Sequence, residues 1–345
     1  VLAFPCGNKG KIFPQCIHVQ DSSQPGEARR LAIFLCHSLG FSELSTAQVA
    51  LVVTELATNL VKHTEQSGGY LIFSPFEQNS IVGLDILSLD QSVGITNISE
   101  CLRDGYSSTN TTGGGLGSIR RQSTVFDIFS VPDKGVAILS RFWPLAAPEP
   151  FAALDVGAVC LPITGEEACG DAWAMKAGPD STLFMLADGL GHGPDAAEAA
   201  NQAVATFLES APRRPAELLM LIHNALRHTR GAAIAIAEIY TDQLSVHFAG
   251  IGNITAQVHS DEKVRNLFSH NGTAGIAGTP KIMEFIYPWT NTSLLIMHSD
   301  GLATHWSFDD YPGLANKHPA LIAGVLFRDH QRLHDDSCVL VAKPR

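Results

Sequence analysis

The residues best suited to chemistry are two Asp-Gly pairs, each at the end of an apolar run. Ser181-Thr182-Leu183-Phe184-Met185-Leu186-Ala187 has the length and content of a buried strand and leads into Asp188-Gly189. Leu294-Leu295-Ile296-Met297-His298-Ser299 does the same for Asp300-Gly301. A carboxylate at a strand end, beside backbone carbonyls, is a seat for a hard cation such as Mg²⁺ or Mn²⁺. A single Asp-Gly reads more simply as a turn, but the repetition shifts the balance toward a site. Gly170-Asp171 and Asp335-Asp336 place acids at two more strand edges. Two divalent ions roughly 3.5–4 Å apart, sharing a bridging carboxylate, activate a water for in-line attack on phosphorus without a Ser or Cys nucleophile. Asp171, Asp188, Asp300 and Asp335 supply the hard oxygens for such a pair, and the Gly189 carbonyl is another.

A second set lies in the N-terminal half. Val49-Ala50-Leu51-Val52-Val53-Thr54-Glu55-Leu56-Ala57-Thr58-Asn59-Leu60-Val61-Lys62-His63 reads as a helix. Glu55, Asn59 and Lys62/His63 fall at i, i+4 and i+7/i+8, so they line one face of it. Either that face binds something, since polar groups on a buried helix are costly alone, or it is a solvated face. Gly113-Gly114-Gly115-Leu116-Gly117 precedes Ser118-Ile119-Arg120-Arg121. A glycine-rich loop opening a helix presents backbone N–H groups to phosphate, although linkers share that composition.

These groups need elements to hold them. The chain has 345 residues, a prior for two domains. With 45% hydrophobic and 17% charged residues it can bury sizeable cores. A net charge of −11 argues against nucleic acid or an anionic membrane as the main partner. Cys6, Cys16, Cys36, Cys101, Cys160, Cys169 and Cys338 are odd in number and form no C-x-x-C pair, as expected of reduced cytoplasmic thiols. No apolar run is expected to reach transmembrane length. Val1 to Phe13 has Lys9 and Lys11 but no long apolar core, so no signal peptide is read there.

In chain order, the pattern predicts a helix over 26–39 closed by Gly40, then one starting near Ser45 with Gln48 completing a capping box. A strand follows over 81–90, then a hairpin over 124–139 turning at Pro132-Asp133-Lys134-Gly135. The Pro-rich stretch around Pro144, Pro148 and Pro150 is the best domain boundary. Beyond it come strands over 153–160, 165–175 and 181–187, helices to Ser210 and over 215–227, and strands again over 232–239 and 244–248. Paired helices flanked by strand-rich blocks suggest a layered α+β sandwich.

The N-terminal pieces, in this order, resemble the GHKL ATPase superfamily, and within it the anti-sigma and switch-kinase branch that phosphorylates STAS-domain proteins. Glu55-Leu56-Ala57-Thr58-Asn59 with Lys62 and His63 is similar to the N box. The resemblance implies that Glu55 orients water and Asn59 holds Mg²⁺. Asp90-Gln91-Ser92-Val93-Gly94 is similar to the G1 box, which implies that Asp90 recognises the adenine amino group, with Gly94 in its turn. Asp104-Gly105-Tyr106-Ser107 and Gly113, Gly114, Gly115, Leu116 and Gly117 resemble the lid and G2 box around the phosphates. Ser92 stands where the G1 box usually has glycine, and Val136 where many members have threonine.

The C-terminal half resembles the metal-dependent protein phosphatase 2C superfamily, in its bacterial stage II sporulation protein E and stressosome-phosphatase branch. The resemblance rests on Cys169-Gly170-Asp171-Ala172-Trp173, Ala187 to Gly193, Gly250-Ile251-Gly252-Asn253, His298-Ser299-Asp300-Gly301 and Asp335-Asp336-Ser337. It implies metal ligation by Asp171, Asp188, Gly189, Asp300 and Asp335, with Asp188 and Asp300 central to catalysis. Asp336 stands where eukaryotic relatives often have Asn; Ala172-Trp173-Ala174 replaces two aromatics and an acid, and the phosphate-gripping arginine of those relatives has no evident counterpart. His192 is either a proton donor to a leaving alkoxide or a structural hydrogen-bond donor.

The expected fold is therefore α+β in two domains: a Bergerat-type α/β sandwich followed by a 2C-like αββα sandwich. The expected division is an N-terminal extension (1–14), a GHKL-like domain (15–143), a linker (144–150) and a phosphatase domain (151–345). Two Mn²⁺ or Mg²⁺ ions are expected at the phosphatase site and ATP with Mg²⁺ at the N-terminal one. The expected partner is a STAS-domain phosphoprotein of a sigma-factor network, with no nucleic acid and no membrane involved. The alternative makes the N-terminal half a non-catalytic nucleotide-sensing or protein-binding module that controls the phosphatase.

Overall fold

The computed structural model describes residues 2–4, 14–64, 67–78, 81–103, 115–145, 153–260, 263–276, 278 and 280–345. The chain opens with β1 (Leu2–Phe4). There follow β2 (Gln15–Val19), α1 (Gln24–Ser38), α2 (Glu43–His63), β3 (Gly69–Gln78), β4 (Ile81–Asp90), α3 (Ile98–Cys101), α4 (Gly115–Gln122), β5 (Val125–Ser130) and β6 (Val136–Phe142). The second half begins with β7 (Leu154–Leu161), β8 (Asp171–Ala177), β9 (Thr182–Gly189), α5 (Pro194–Glu209) and α6 (Pro215–Ala225). It continues with β10 (Ala232–Tyr240), β11 (Ser245–Ile251), β12 (Thr255–His259), β13 (Val264–Asn266), β14 (Phe285–Pro288), β15 (Leu294–His298), α7 (Pro319–His330) and β16 (Ser337–Pro344).

Two compact units result, and they are not linear segments. One comprises 1–13, 150–306 and 329–345; the other comprises 14–149 and 307–328. The expected division at 144–150 is thus modified: the stretch 307–328, with most of α7, folds with the N-terminal unit. Residues 146–150 of the expected linker lie outside the described residues.

In the N-terminal unit five strands lie in the order β2-β3-β4-β6-β5, with α2 packed on β2, β3 and β4. Strand alternation puts Ser88 and Asp90 on one face of β4 and Leu87 and Leu89 on the other. The second face is closed by α7, where a Cβ on Gly324 would lie 3.2 Å from Leu89 and 3.3 Å from Leu87. Covering on both faces explains why β6 is buried at every position and β4 over most of its length. Asp85 and Arg141 pair directly across β4 and β6 and form a buried bidentate ion pair at 2.6 and 2.7 Å. The α2 helix starts earlier than expected: Ser42, not Ser45, is the N-cap, and its hydroxyl accepts from the Ser45 N–H at 3.1 Å. Ser45 is thereby inside the first turn and no capping box with Gln48 forms. By length and composition α2 is apolar enough to cross a membrane, which corrects the expectation that no segment is. Here its apolar side is a core face, with Val49, Val53, Leu56 and Leu60 buried.

The other unit stacks two antiparallel sheets, β1-β8-β9-β10-β11-β14 and β13-β12-β15-β16-β7. β1, from the expected N-terminal extension, adds an edge strand beside β8. Phe184, Leu186, Phe248, Trp289, Leu295, Met297 and Leu340 fill the space between the sheets. The alternate residues of β9, Met185 and Ala187, face Phe207 of α5 and Ile222 of α6 on the outside of the first sheet. The end of β9 carries Asp188, beside Asp171 at the start of β8.

Candidate functional site

Asp171 begins β8 and Asp188 lies near the end of β9; the two are direct cross-strand neighbours. Asp300 follows β15 and Asp335 precedes β16, strands that pair in the second sheet. Asp188, Asp300 and Asp335 line one cavity of about 490 Å³ with Leu190, Gly191, His192, Asn253, Asn271, Gly272, Thr273 and His334. Asp171 is buried behind it, 1% exposed, and its Oδ2 accepts from the Ser299 hydroxyl at 2.6 Å. Asn253 donates to Asp300 at 2.6 Å. The acids expected from sequence therefore come to one end of the sandwich.

The glycines beside these acids are fixed by packing. A Cβ on Gly189 would lie 2.1 Å from the Ala196 carbonyl, and one on Gly301 would lie 1.9 Å from the Asp336 carbonyl. Only glycine admits these backbone approaches. Asp336 turns out to be a clamp: its Oδ1 accepts from the Ile163 N–H at 2.8 Å and its Oδ2 from the Gly170 N–H at 2.9 Å. The two N–H groups meet different oxygens, and an amide would set its own N–H₂ donor against one of them. That accounts for Asp rather than Asn here, and it fixes the approach to Asp171.

Electrostatics mark the cluster. Burial, then Asp300, Asp335 and Asp336, push the Asp188 carboxyl up to about 7. Burial and the neighbouring Asp188 raise Asp171 well above the ordinary carboxylate range, and burial followed by Asp300 raises Asp335. Acids crowded in this way call for a cation. As the side chains stand, no three His, Cys, Asp or Glu among the described residues form a closed shell. The donor set itself, all oxygens on separate strand ends with uncompensated charge, fits hard divalent ions. His192, on the cavity rim, has Nδ1 3.3 Å from Glu166 Oε1. Trp173 is core, and the buried Cys169 sulfur lies 3.9 Å from that of Cys160. Sequence reasoning missed the supporting roles of Asn253, Ser299 and Asp336; the hydrogen-bonding capacity of those side chains was the only signal available.

In the N-terminal unit, Glu55, Asn59, Lys62, His63, Asp90, Gly94, Gly115 and Leu116 line a second cavity of about 460 Å³. Ser92, Asn97, Glu100, Val136 and Ile138 also line it. Gly117 is buried in α4 and is not among the lining residues, while Gly113, Gly114 and the lid stretch Asp104 to Ser107 lie outside the described residues. Asp90 Oδ1 accepts from the N–H groups of Ser92 (2.9 Å) and Val136 (3.1 Å), and the Asp90 carbonyl accepts from Arg328 at 2.9 Å. Gly94 adopts φ +78°, with the Val131 carbonyl 2.6 Å from where a Cβ would stand.

Two sheets lie face to face, with a helix pair outside the first and four acids at one end. Residues 178–345 match the family model described as Stage II sporulation protein E (SpoIIE), so the C-terminal half is a SpoIIE-like serine/threonine phosphatase domain. The chain is also similar to the serine/threonine-protein kinase RsbT of Bacillus subtilis (strain 168), 27% identical over 128 residues, 37% of this chain and 95% of that protein. The N-terminal region is accordingly RsbT-like and kinase-related. Among solved structures the chain is similar to one described as the bacterial stressosome, a modular system adapted to control secondary messenger signalling. That match has 28% identity and a TM-score of 0.52 over 56% of this chain and 100% of the other. It is also similar to RsbX in complex with magnesium, at 21% identity and a TM-score of 0.49 over 56% of this chain and 96% of that one. The mixed α+β architecture expected from sequence is the one found.

Proposed function

We propose that this chain is a bacterial, cytoplasmic partner-switching protein whose phosphatase removes phosphate from phosphoserine or phosphothreonine on a STAS-type partner. The observation that carries the reading is the gathering of Asp188, Asp300 and Asp335 at one cavity, with Asp171 the cross-strand neighbour of Asp188. Those side chains and the Gly189 carbonyl would hold two Mn²⁺ or Mg²⁺ ions. When bound, the ions supply a water of lowered pKa and polarise the phosphoryl oxygens. The chain's own part is positional: Ser299 steadies Asp171, Asn253 steadies Asp300, and Asp336 sets the loop ahead of Asp171. His192 either hands a proton to the leaving alkoxide or holds the metal loop through Glu166.

The N-terminal cavity is assigned to ATP with Mg²⁺. Glu55 would orient the attacking hydroxyl or water, Asn59 would hold Mg²⁺ and Asp90 would read adenine, with the Gly113 to Gly117 stretch at the phosphates. The RsbT-like sequence supports a kinase. The second reading, a nucleotide sensor without transfer, is favoured by Ser92, which lines the cavity where the G1 box usually has glycine. Incubating the intact chain with labelled ATP, Mg²⁺ and a STAS protein separates them. Transfer of label that is lost in Glu55→Ala supports the kinase; ATP binding without transfer supports the sensor.

A further inference from the structure

We propose that His223, on α6 and outside the cavity, is a positioning residue for the phosphatase: it holds Gly275 and Gly278, which follow the stretch 271–273 that walls the acid site. The inference rests on reading the acid-lined cavity as the phosphatase site. His223 is 2% exposed, and both ring nitrogens are engaged. The Gly275 N–H donates to Nδ1 at 3.1 Å, and Nε2 lies 3.2 Å from the Gly278 carbonyl. A backbone N–H can only donate, so Nδ1 must carry the lone pair and the proton sits on Nε2, which donates to Gly278. One side chain thus grips the loop at two points three residues apart.

Among the described residues the loop backbone is also held at two other places. His270 exchanges bonds with Gly250 and Gly252 at 2.8 Å each, and Ala274 pairs with Ala232 at 2.8 and 3.0 Å. Between those anchors Asn271, Gly272 and Thr273 arch over the cavity that Asp188, Asp300 and Asp335 line. Gly275 follows at φ +94°, so close to the end of α6 that a Cβ there would lie 2.8 Å from Leu226. A leucine at 223 would suit the surrounding core, which includes Leu219, Ile222 and Ala274. It would strip the buried Gly275 N–H of its acceptor and loosen the backbone just beyond the Ala274 anchor of the arch. The bland alternative is a core histidine whose loss affects stability alone.

Three variants of the intact chain, assayed with Mn²⁺ on a phosphoserine peptide and on p-nitrophenyl phosphate, separate the two. His223→Leu should raise KM for the peptide about tenfold, the scale seen when support of a site group is lost, with a smaller change in kcat. His223→Asn keeps an acceptor near Nδ1 and should recover most of that KM; His223→Gln, which reaches toward Gly278 instead, should recover less. If His223→Leu does not fold, the ordering of Asn over Gln still decides, and equal KM values in those two would overturn the proposal. Unchanged KM in His223→Leu would also overturn it. Nitrogen NMR of the wild type should show the Nε2–H tautomer, and the Nδ1–H tautomer would contradict the geometry. Should the wild type release no phosphate at all, the phosphatase reading fails, and the tautomer alone decides the loop claim.

Discussion

Replacing Asp188 by Asn should make the metal-free protein more stable and the enzyme nearly inactive. The Asp188 carboxyl, held at about 7 instead of 3.8 by burial and by Asp300, Asp335 and Asp336, carries a penalty when ionised. A gap of about three pKa units corresponds to roughly 4 kcal/mol as an upper bound. Relaxation and solvent screening reduce this, so a gain of about 1–2 kcal/mol near pH 7.5 is expected. For a unit of this size that is about 3–6 °C in Tm. The sign follows from linkage: the folded pKa lies above the unfolded one, so the proton's stabilising effect is full below about pH 4. It is lost as pH rises through about 7. Wild-type Tm without metal should therefore fall across that window, and Asp188→Asn should show a shallower fall. Phosphate release should drop at least about a hundredfold, as when a principal electrostatic group is removed. Thermal melts in EDTA, with turnover in saturating Mn²⁺, check both halves. A variant that is less stable than wild type without metal, or that turns over near normally, would refute the reasoning.

Asp336→Asn places an amide N–H₂ against either Ile163 or Gly170, both donors. It should cost about 1.5–3 kcal/mol and lower turnover through Asp171, and an unchanged melt would contradict the clamp. Arg141→Met strands Asp85, whose side chain is 8% exposed, and denaturant unfolding should show a loss of about 3–5 kcal/mol. Asn59→Ala should abolish Mg²⁺-dependent ATP heats in calorimetry. The intact chain is needed for that experiment, because residues 15–143 alone lack α7 and would bare Leu87 and Leu89.

The acids were legible in sequence because each is tied to a local signal, an apolar run ending in Asp-Gly, and because that signal recurs. The polar face of α2 was legible for the same reason: helical spacing is local, and Glu55, Asn59, Lys62 and His63 do share one cavity. The hairpin turning at Pro132 to Gly135 formed as expected, with Asp133 and Gly135 at positive φ. The destination of 307–328 was not legible. Leu321, Ile322, Val325 and Leu326 announce that α7 is buried, but periodicity does not say against what. The alternation of β4 likewise shows two faces without naming α7 as the cover of one. Asp336, Ser299 and His223 act through partners between 39 and 173 positions away, and nothing in their immediate neighbours marks them.

The chain also leaves the phosphatase unit after Trp306 and returns at Asp329. Its two crossings are tied together inside that unit, by Ala303 N–H to the His330 carbonyl at 2.8 Å and Arg332 N–H to the Gly301 carbonyl at 2.7 Å. Asp300 and Asp335 flank this neck, so the element bracketed by two proposed metal ligands belongs to the N-terminal unit. Any effect of ATP on the phosphatase has a covalent route, and binding coupling along it must be reciprocal.

The most direct test of the central claim is phosphate release from a phosphoserine-bearing STAS protein by the intact chain, with Mn²⁺ and with EDTA. The account predicts release in Mn²⁺, none in EDTA, and at least a hundredfold less with Asp188→Asn. Release that persists in EDTA, or that Asp188→Asn leaves unchanged, would contradict it.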